Sequence, residues 1–234
     1  MIVALRGLRV LSVTAHPDDE VLGFGATAAL AARAGARVTN CFLSGSVDAR
    51  TRRPGLEELR ADIAAAQERL GCEPAIVGDF PNIRFNATPQ LELVQFVEAA
   101  IERTRPDVVF THWKDDLNDD HYHTAKACMA AARLGQRRGV PPLKALYLME
   151  VPSSTDWSFA PNGSAFSPNA FCEIGEAGLE AKLEALACYR DVMRPYPHPR
   201  SERAIRALAT VRGAESGLDM AEAFTCVFTT LDAS

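Results

Sequence analysis

Long apolar runs are missing from this chain of 234 residues. Nothing approaches the roughly 20 consecutive apolar residues that a helix needs to span a bilayer. The apolar start, MIVALRGLRVLSV, is short and interrupted by Arg6 and Arg9. It has no long apolar core followed by small residues, so it reads as a first strand and not as a signal peptide. Paired cysteines are also missing. Cys41, Cys72, Cys128, Cys172, Cys188 and Cys226 are scattered, with no C-x-x-C spacing. They read as small buried hydrophobes in a reducing compartment, which excludes a disulfide framework and a thiolate metal site and points to the cytoplasm.

A positive balance is absent too. Lys and Arg number 25 against 30 Asp and Glu, a net charge of -5. That argues against a sequence-independent nucleic-acid binder, which carries a basic face. The best local basic patch, Arg50, Arg52 and Arg53, reads as a solvated loop. Histidine is scarce: His16, His112, His121, His123 and His198 are the five. Hydrophobic residues at 47% still supply a proper core.

Strand-length apolar runs alternate with helical stretches. The expected strands are Arg9–Thr14, Arg37–Leu43, Pro74–Val77, Asp107–His112 and Lys144–Glu150. Between them lie expected helices at Val21–Ala34, Leu56–Leu70, Pro89–Arg103 and Asp120–Arg133. Such β-α-β-α alternation predicts an α/β fold: a mostly parallel, Rossmann-like sheet with helices on both faces, formed by residues 1–234 as a single domain. After Val151 the rhythm changes. Residues 152–168 read as a long loop, followed by helices near Gly178–Tyr189 and Ser201–Ala209 and a late strand within AEAFTCVF.

Ala15-His16-Pro17-Asp18-Asp19-Glu20 follows the first strand, and His112-Trp113-Lys114-Asp115-Asp116-Leu117-Asn118-Asp119-Asp120-His121 follows the fourth. Ligand sites of open α/β sheets lie beyond the carboxyl ends of the strands, so both clusters are expected at one rim. Crowded carboxylates repel unless something positive sits among them. An isolated HPDD can be a turn leading into a helix, but D-x-N-x-D-H at the matching strand end favours a metal. His16 and Asp19 lie i, i+3 across a turn, and His121 completes two imidazoles and a carboxylate from across the site. Three protein ligands leave a position for water, the catalytic pattern of a zinc site. Asp18, beside the ligand Asp19, is placed to accept a proton as general base.

AHPDDEVLGFGA followed by DDLNDDHYHTAKA resembles the zinc-dependent N-deacetylases of the PIG-L/LmbE type, in their bacterial branch. EVPSSTDWSF, SPNAFCEI, KLEALACY, RPYPHPRS and AEAF extend the resemblance over most of the chain. It implies Zn²⁺ or another divalent ion on His16, Asp19 and His121, with Asp18 as base. The implied reaction removes an acetyl or other acyl group from the amide nitrogen of an N-acetylated amino sugar, often N-acetylglucosamine on a larger carrier. Many relatives place an oxyanion-stabilising histidine three residues before the third ligand; here that residue is Asn118. Asp120 is expected to orient an imidazole by a hydrogen bond. Relatives also carry R-x-x-E in the second helix, positions held here by Leu59 and Asp62. Arg84 and Arg200 are the substitute candidates for the sugar, and His198, beside Arg200, is a candidate acid or oxyanion donor. Relatives are often homo-oligomers, although no residue here marks an interface.

Trp113 and Trp157, in expected rim loops, suit either stacking on a sugar or packing as core. Gly23-Phe24-Gly25 lacks the third glycine of a dinucleotide fingerprint and reads instead as close helix-to-sheet packing. Two other readings compete. His16-Pro17-Asp18 with His121 spells H-x-D…H, the 2-His-1-carboxylate set of non-haem Fe(II) oxygenases. A sugar- or nucleotide-binding module without catalysis is the third, and it has no need of Asp18.

Overall fold

The computed structural model describes residues 5–46, 54–159 and 164–230; the Arg50, Arg52, Arg53 cluster lies outside them. Seven strands form one sheet: β1 Arg9–Thr14, β2 Arg37–Phe42, β3 Ile76–Val77, β4 Val108–His112, β5 Ala145–Met149, β6 Ala170–Glu173 and β7 Ala221–Thr229. The helices are α1 Asp19–Arg33, α2 Leu56–Leu70, α3 Gln90–Thr104, α4 Asp119–Ala131, the single turn α5 Gly135–Arg138, α6 Gly175–Cys188 and α7 Glu202–Ser216. The strand order is β3-β2-β1-β4-β5-β7-β6. β1 to β5 run parallel, while β7 runs antiparallel to β5 and to β6.

β1 is buried from Val10 to Thr14 because it lies mid-sheet under helices on both faces. The pleat sends Val10 to a core shared with α1, α2, α6 and α7, and Leu11 and Val13 to a second core shared with α3 and α4. Chain connections on either side of β1 diverge, to β2 through α1 and to β4 through α3. The gap between the carboxyl ends of β1 and β4 is therefore the switch point where α/β sheets bind ligands.

Gly23 sets how closely α1 approaches the sheet. A Cβ there would lie 2.7 Å from Met149 Sδ and 2.9 Å from the Glu150 carbonyl oxygen. Elements after β5 depart most from expectation. The third strand shrinks to two residues, α6 starts three residues before Gly178, and α7 runs on to Ser216 until Gly217 caps it with a left-handed φ of 73°. β6 was not expected: AFCE is short and half-exposed at the sheet edge, without an apolar alternation to mark it.

Candidate metal centre and active site

β1 ends at Thr14, and the turn Ala15–Asp18 delivers His16 and two carboxylates to the switch point. Asp18 is the N-cap of α1 and holds a left-handed backbone, φ 101°. Such a conformation costs about 1–3 kcal/mol for a residue with a side chain, so something must hold it. Its N–H donates to Glu20 Oε2 (2.9 Å), while its carbonyl accepts from the Val21 and Leu22 amides. Glu20 is fully buried and accepts from the Tyr189 hydroxyl (2.6 Å) and the Gln67 amide (3.2 Å). Desolvation pushes its carboxyl up to about 8 against the pull of the Tyr189 hydrogen bond.

Asp19 opens α1, and its Oδ2 is the centre of the cluster. His16 Nδ1 lies 3.4 Å away and His121 Nε2 3.3 Å away, and the His16 amide donates to it at 2.9 Å. One donor atom from each of His16, Asp19 and His121 falls within 4.8 Å of the others, and all three residues are buried. Although burial opposes a charged carboxyl, the neighbouring His121 imidazole holds Asp19 well below the usual range. His121 responds in kind: despite desolvation, Asp19 and Asp116 push it up to about 10.

The outer nitrogens of both imidazoles are committed to carboxylates. His16 Nε2 pairs with Asp120 Oδ2 at 2.9 Å, and His121 Nδ1 with Asp116 Oδ2 at 3.1 Å. Each ring therefore keeps one nitrogen for the centre, the arrangement of carboxylate–histidine–metal triads. His121 Nε2 is buried and makes no hydrogen bond. An orphaned imidazole nitrogen beside a depressed carboxylate and a second imidazole suits a divalent cation such as zinc. The rival set His112, Asp116, His121 also gathers within 4.8 Å, and His112 Nδ1 is likewise buried without a hydrogen bond, but that nitrogen carries the ring proton and the Asp116 carboxylate is engaged. His112 Nε2 accepts the Ala15 amide (2.8 Å), so the proton of the neutral ring sits on Nδ1. Burial, with His121 alongside, pushes His112 down to about 3, which keeps it neutral. Asp116 is tied to His121 and to the Thr155 hydroxyl (3.0 Å).

A cleft of about 230 Å³ opens onto this cluster. Asp18, Asn118 and Arg200 line it together with Ile83 and Ser153. Arg200 Nη1 stands 3.7 Å from Asp18 Oδ2. Asn118 is the N-cap of α4: its Oδ1 accepts the Asp120 amide at 3.0 Å. Asp120 Oδ2 also accepts the Ile83 amide (2.7 Å) and Oδ1 the Phe85 amide (2.9 Å), which ties the 83–85 loop to α4.

Other expected residues are not brought to the cleft. Trp113 is buried with its ring edge-on to Phe166 (5.4 Å) and does not line the cavity. It packs instead of offering a sugar platform. Arg84 is exposed on the 83–85 loop, between Ile83, which lines the cavity, and the buried Phe85, and it does not line the cavity itself. His198 is half-buried outside the lining. Its Nδ1 accepts the Arg200 amide (3.0 Å), and its ring meets Trp157 at 5.1 Å. Leu59 is core, and Asp62 is buried against the Arg190 guanidinium (3.2 Å). Sequence reasoning missed Asp116 as the partner of His121; it lies outside α4, so no helical spacing marks it.

A buried His₂–Asp set with an open cleft and an adjacent carboxylate, at the switch point of a Rossmann-like sheet, is an arrangement that could hold a metal ion in an α/β enzyme. Residues 11–132, more than half of the chain, match the PIG-L family, described as GlcNAc-PI de-N-acetylase, and the chain belongs to that family. A curated relative, the 1D-myo-inositol 2-acetamido-2-deoxy-alpha-D-glucopyranoside deacetylase of Salinispora arenicola, is 26% identical over 245 residues, covering 89% of this chain and 78% of its own. The conserved protein TT1542 of Thermus thermophilus superposes with a TM-score of 0.78 at 25% identity, covering 97% of both chains. GalB, the 4-carboxy-2-hydroxymuconate hydratase of Pseudomonas putida, superposes with a TM-score of 0.73 at 20% identity, covering 97% of this chain and 99% of its own. At that identity the likeness is one of fold, and the fold alone does not choose the reaction.

Proposed function

We propose that this chain is a metal-dependent N-deacetylase. It hydrolyses the amide of an N-acetylated amino sugar, an N-acetylglucosamine unit joined to a further group, with residues 1–234 as one catalytic domain. The observation that carries the reading is the division of labour between adjacent acids. Asp19 gathers with His16 and His121, while Asp18 stays outside that set and lines the cleft. Family membership and the deacetylase relative support the acetamido sugar as substrate.

His16 Nδ1, Asp19 Oδ2 and His121 Nε2 would hold the ion, for which zinc is the first candidate. A bound divalent cation supplies Lewis acidity, which polarises the carbonyl and acidifies water. Asp18 takes the proton of the attacking water as its oxygen bonds to the carbonyl carbon. The C–N bond then breaks, the proton passes to the departing nitrogen, and the products are acetate and the free amine. Asp120 and Asp116 keep the ligand rings oriented. The free cysteines suit a reducing cytoplasm, and no helix among the described residues is long and apolar enough to cross a membrane.

The oxygenase alternative needs Asp18 as the ligand of an H-x-D…H set, whereas the carboxylate that gathers with the two imidazoles is Asp19. The test is acetate release from the glucosaminyl-inositol substrate of the relative and from simpler N-acetylglucosamine glycosides. Asp18→Asn should keep its metal and lose about 10²- to 10⁴-fold in rate. An Asp18→Asn enzyme as fast as wild type would sink the base assignment. Turnover of an unsaturated hydroxy acid, with no acetate from any sugar, would move the reading to a hydratase.

A further inference from the structure

We propose that Arg200 carries the oxyanion in this reaction, donating guanidinium N–H bonds to the carbonyl oxygen as it becomes negative. The inference rests on the amide-hydrolysis reading above. Arg200 is the single lysine or arginine lining the cleft among the described residues. Its Nε is buried with no hydrogen-bond partner, and Nη1 lies 3.7 Å from Asp18, outside hydrogen-bond reach. A buried, unsatisfied guanidinium donor is costly and implies a ligand that completes it.

The backbone beneath Arg200 is fixed, so this donor is preorganised. Its amide donates to His198 Nδ1 (3.0 Å) and its carbonyl accepts from the Arg194 amide (3.2 Å). The next residue, Ser201, caps α7 through the Ala204 amide. Asn118, which also lines the cleft and precedes His121 by three residues, has its carbonyl oxygen tied to the helix cap and offers only a neutral amide. Arg200 thus brings to the cleft the cationic donor that Asn118 cannot supply.

Charge accounting fixes what Arg200 does. When water adds to the amide carbon, one water proton goes to Asp18 and the carbonyl π pair moves onto oxygen. Arg200 binds that oxygen through its N–H donors and transfers no proton. When the C–N bond breaks, the pair returns to re-form the carbonyl. The interaction strengthens only in the transition state, so it raises kcat and leaves KM nearly unchanged.

The experiment compares wild type, Arg200→Gln and Arg200→Lys, loaded with zinc, on the glucosaminyl-inositol acetamide. A second readout is the binding of a methylphosphonamide analogue, whose tetrahedral P–O⁻ mimics the oxyanion, measured by calorimetry. Arg200→Gln should bind zinc normally, lose about 10²- to 10³-fold in kcat, and change KM by less than about threefold. Its affinity for the phosphonamide should fall by the same factor as kcat/KM, and Arg200→Lys should fall between. A loss confined to KM, or unchanged phosphonamide affinity, overturns the proposal: Arg200 would then hold the sugar or only neutralise Asp18. Wild type that releases no acetate would overturn the deacetylase reading itself, and this inference with it.

Discussion

Asp120→Asn tests how the proposed metal centre is held. Asp120 is 1% exposed, and its carboxylate accepts from three donors: His16 Nε2 and the Ile83 amide on Oδ2, and the Phe85 amide on Oδ1. An asparagine has one oxygen and one NH₂ at the same places. With its oxygen towards His16 and Ile83, the NH₂ confronts the Phe85 amide. Flipped, it confronts two donors. The first orientation wins and leaves one buried amide unsatisfied, which costs about 1–3 kcal/mol. The bond to His16 also becomes neutral, so the ring loses basicity. Loss of such an outer partner costs about 10- to 100-fold in metal affinity. The assay is zinc competition against a chelating dye, beside urea unfolding of the metal-free protein. Asp119→Asn, altering an exposed neighbour (59% side-chain exposure), is the control and should match wild type in zinc affinity. If Asp120→Asn were destabilised yet bound zinc within about twofold of wild type, the bond to His16 would not orient the ligand, and the triad argument would fail.

Three further outcomes follow from the same geometry. His121→Ala should drop bound zinc from about one equivalent to near none by mass spectrometry, since two ligands do not make a retentive site; retention would point to the His112 set. Gly23→Ala should destabilise by about 1–2 kcal/mol in urea, because overpacking against the Glu150 carbonyl outweighs about 1 kcal/mol of helix propensity; a more stable variant would refute that contact. Asp107 accepts from the Arg9 amide and guanidinium and from Lys144, which hold it below its ordinary value although partial burial opposes them. A depressed carboxyl gives stability that is present above the unfolded value and lost as pH falls through the folded one. The stability deficit of Asp107→Asn should therefore be full at pH 7 and shrink below about pH 4; a deficit constant to pH 3 would remove Asp107 from the account.

The β-α alternation was legible because parallel strands buried on both faces are continuous apolar runs. Arg9–Thr14 and Leu56–Leu70 fall where the periodicity puts them. Legibility fades after β5, where contacts across the sheet edge decide. AFCE becomes β6 only because β7 lies beside it, Ala170 to Glu173 against Phe224 to Ala221. At the site, chemistry-bearing residues were readable from local crowding: His16, Asp18 and Asp19 in one turn, His121 at one helix start. What sequence withheld was which nitrogen or oxygen each group has left. Asn118 reads as a lone amide until its Oδ1 is seen capping α4. His112 reads like any other histidine until Ala15 claims its Nε2. Trp113 looks like a rim aromatic until Phe166 covers it.

The cleft also explains why so many acids surround it without all being ligands. Three of its lining residues other than glycine have left-handed backbones: Asp18 (φ 101°), Ile83 (φ 57°) and Ser153 (φ 72°). Strain of this kind persists only where the surroundings over-determine it. In each case the strained amide donates to a carboxylate: Asp18 to Glu20 (2.9 Å), Ile83 to Asp120 (2.7 Å), Ser153 to Asp156 (2.6 Å). Such a bond contributes about 0.5–1.5 kcal/mol where the acceptor is neutral, as for Glu20 with its carboxyl pushed up to about 8, and about 1.5–3 kcal/mol where it is ionised, against about 1–3 kcal/mol of strain. On the proposed reading the acids divide by function: Asp19 would meet the metal, Asp116 and Asp120 hold the two histidines, and Glu20, Asp120 and Asp156 fix the cavity wall. Asp120 does both at once, joining a ligand ring to the loop that shapes the cleft. Asp18 lines the cleft beside Arg200 (3.7 Å) and outside the His16–Asp19–His121 set, which is where the proposed base must stand.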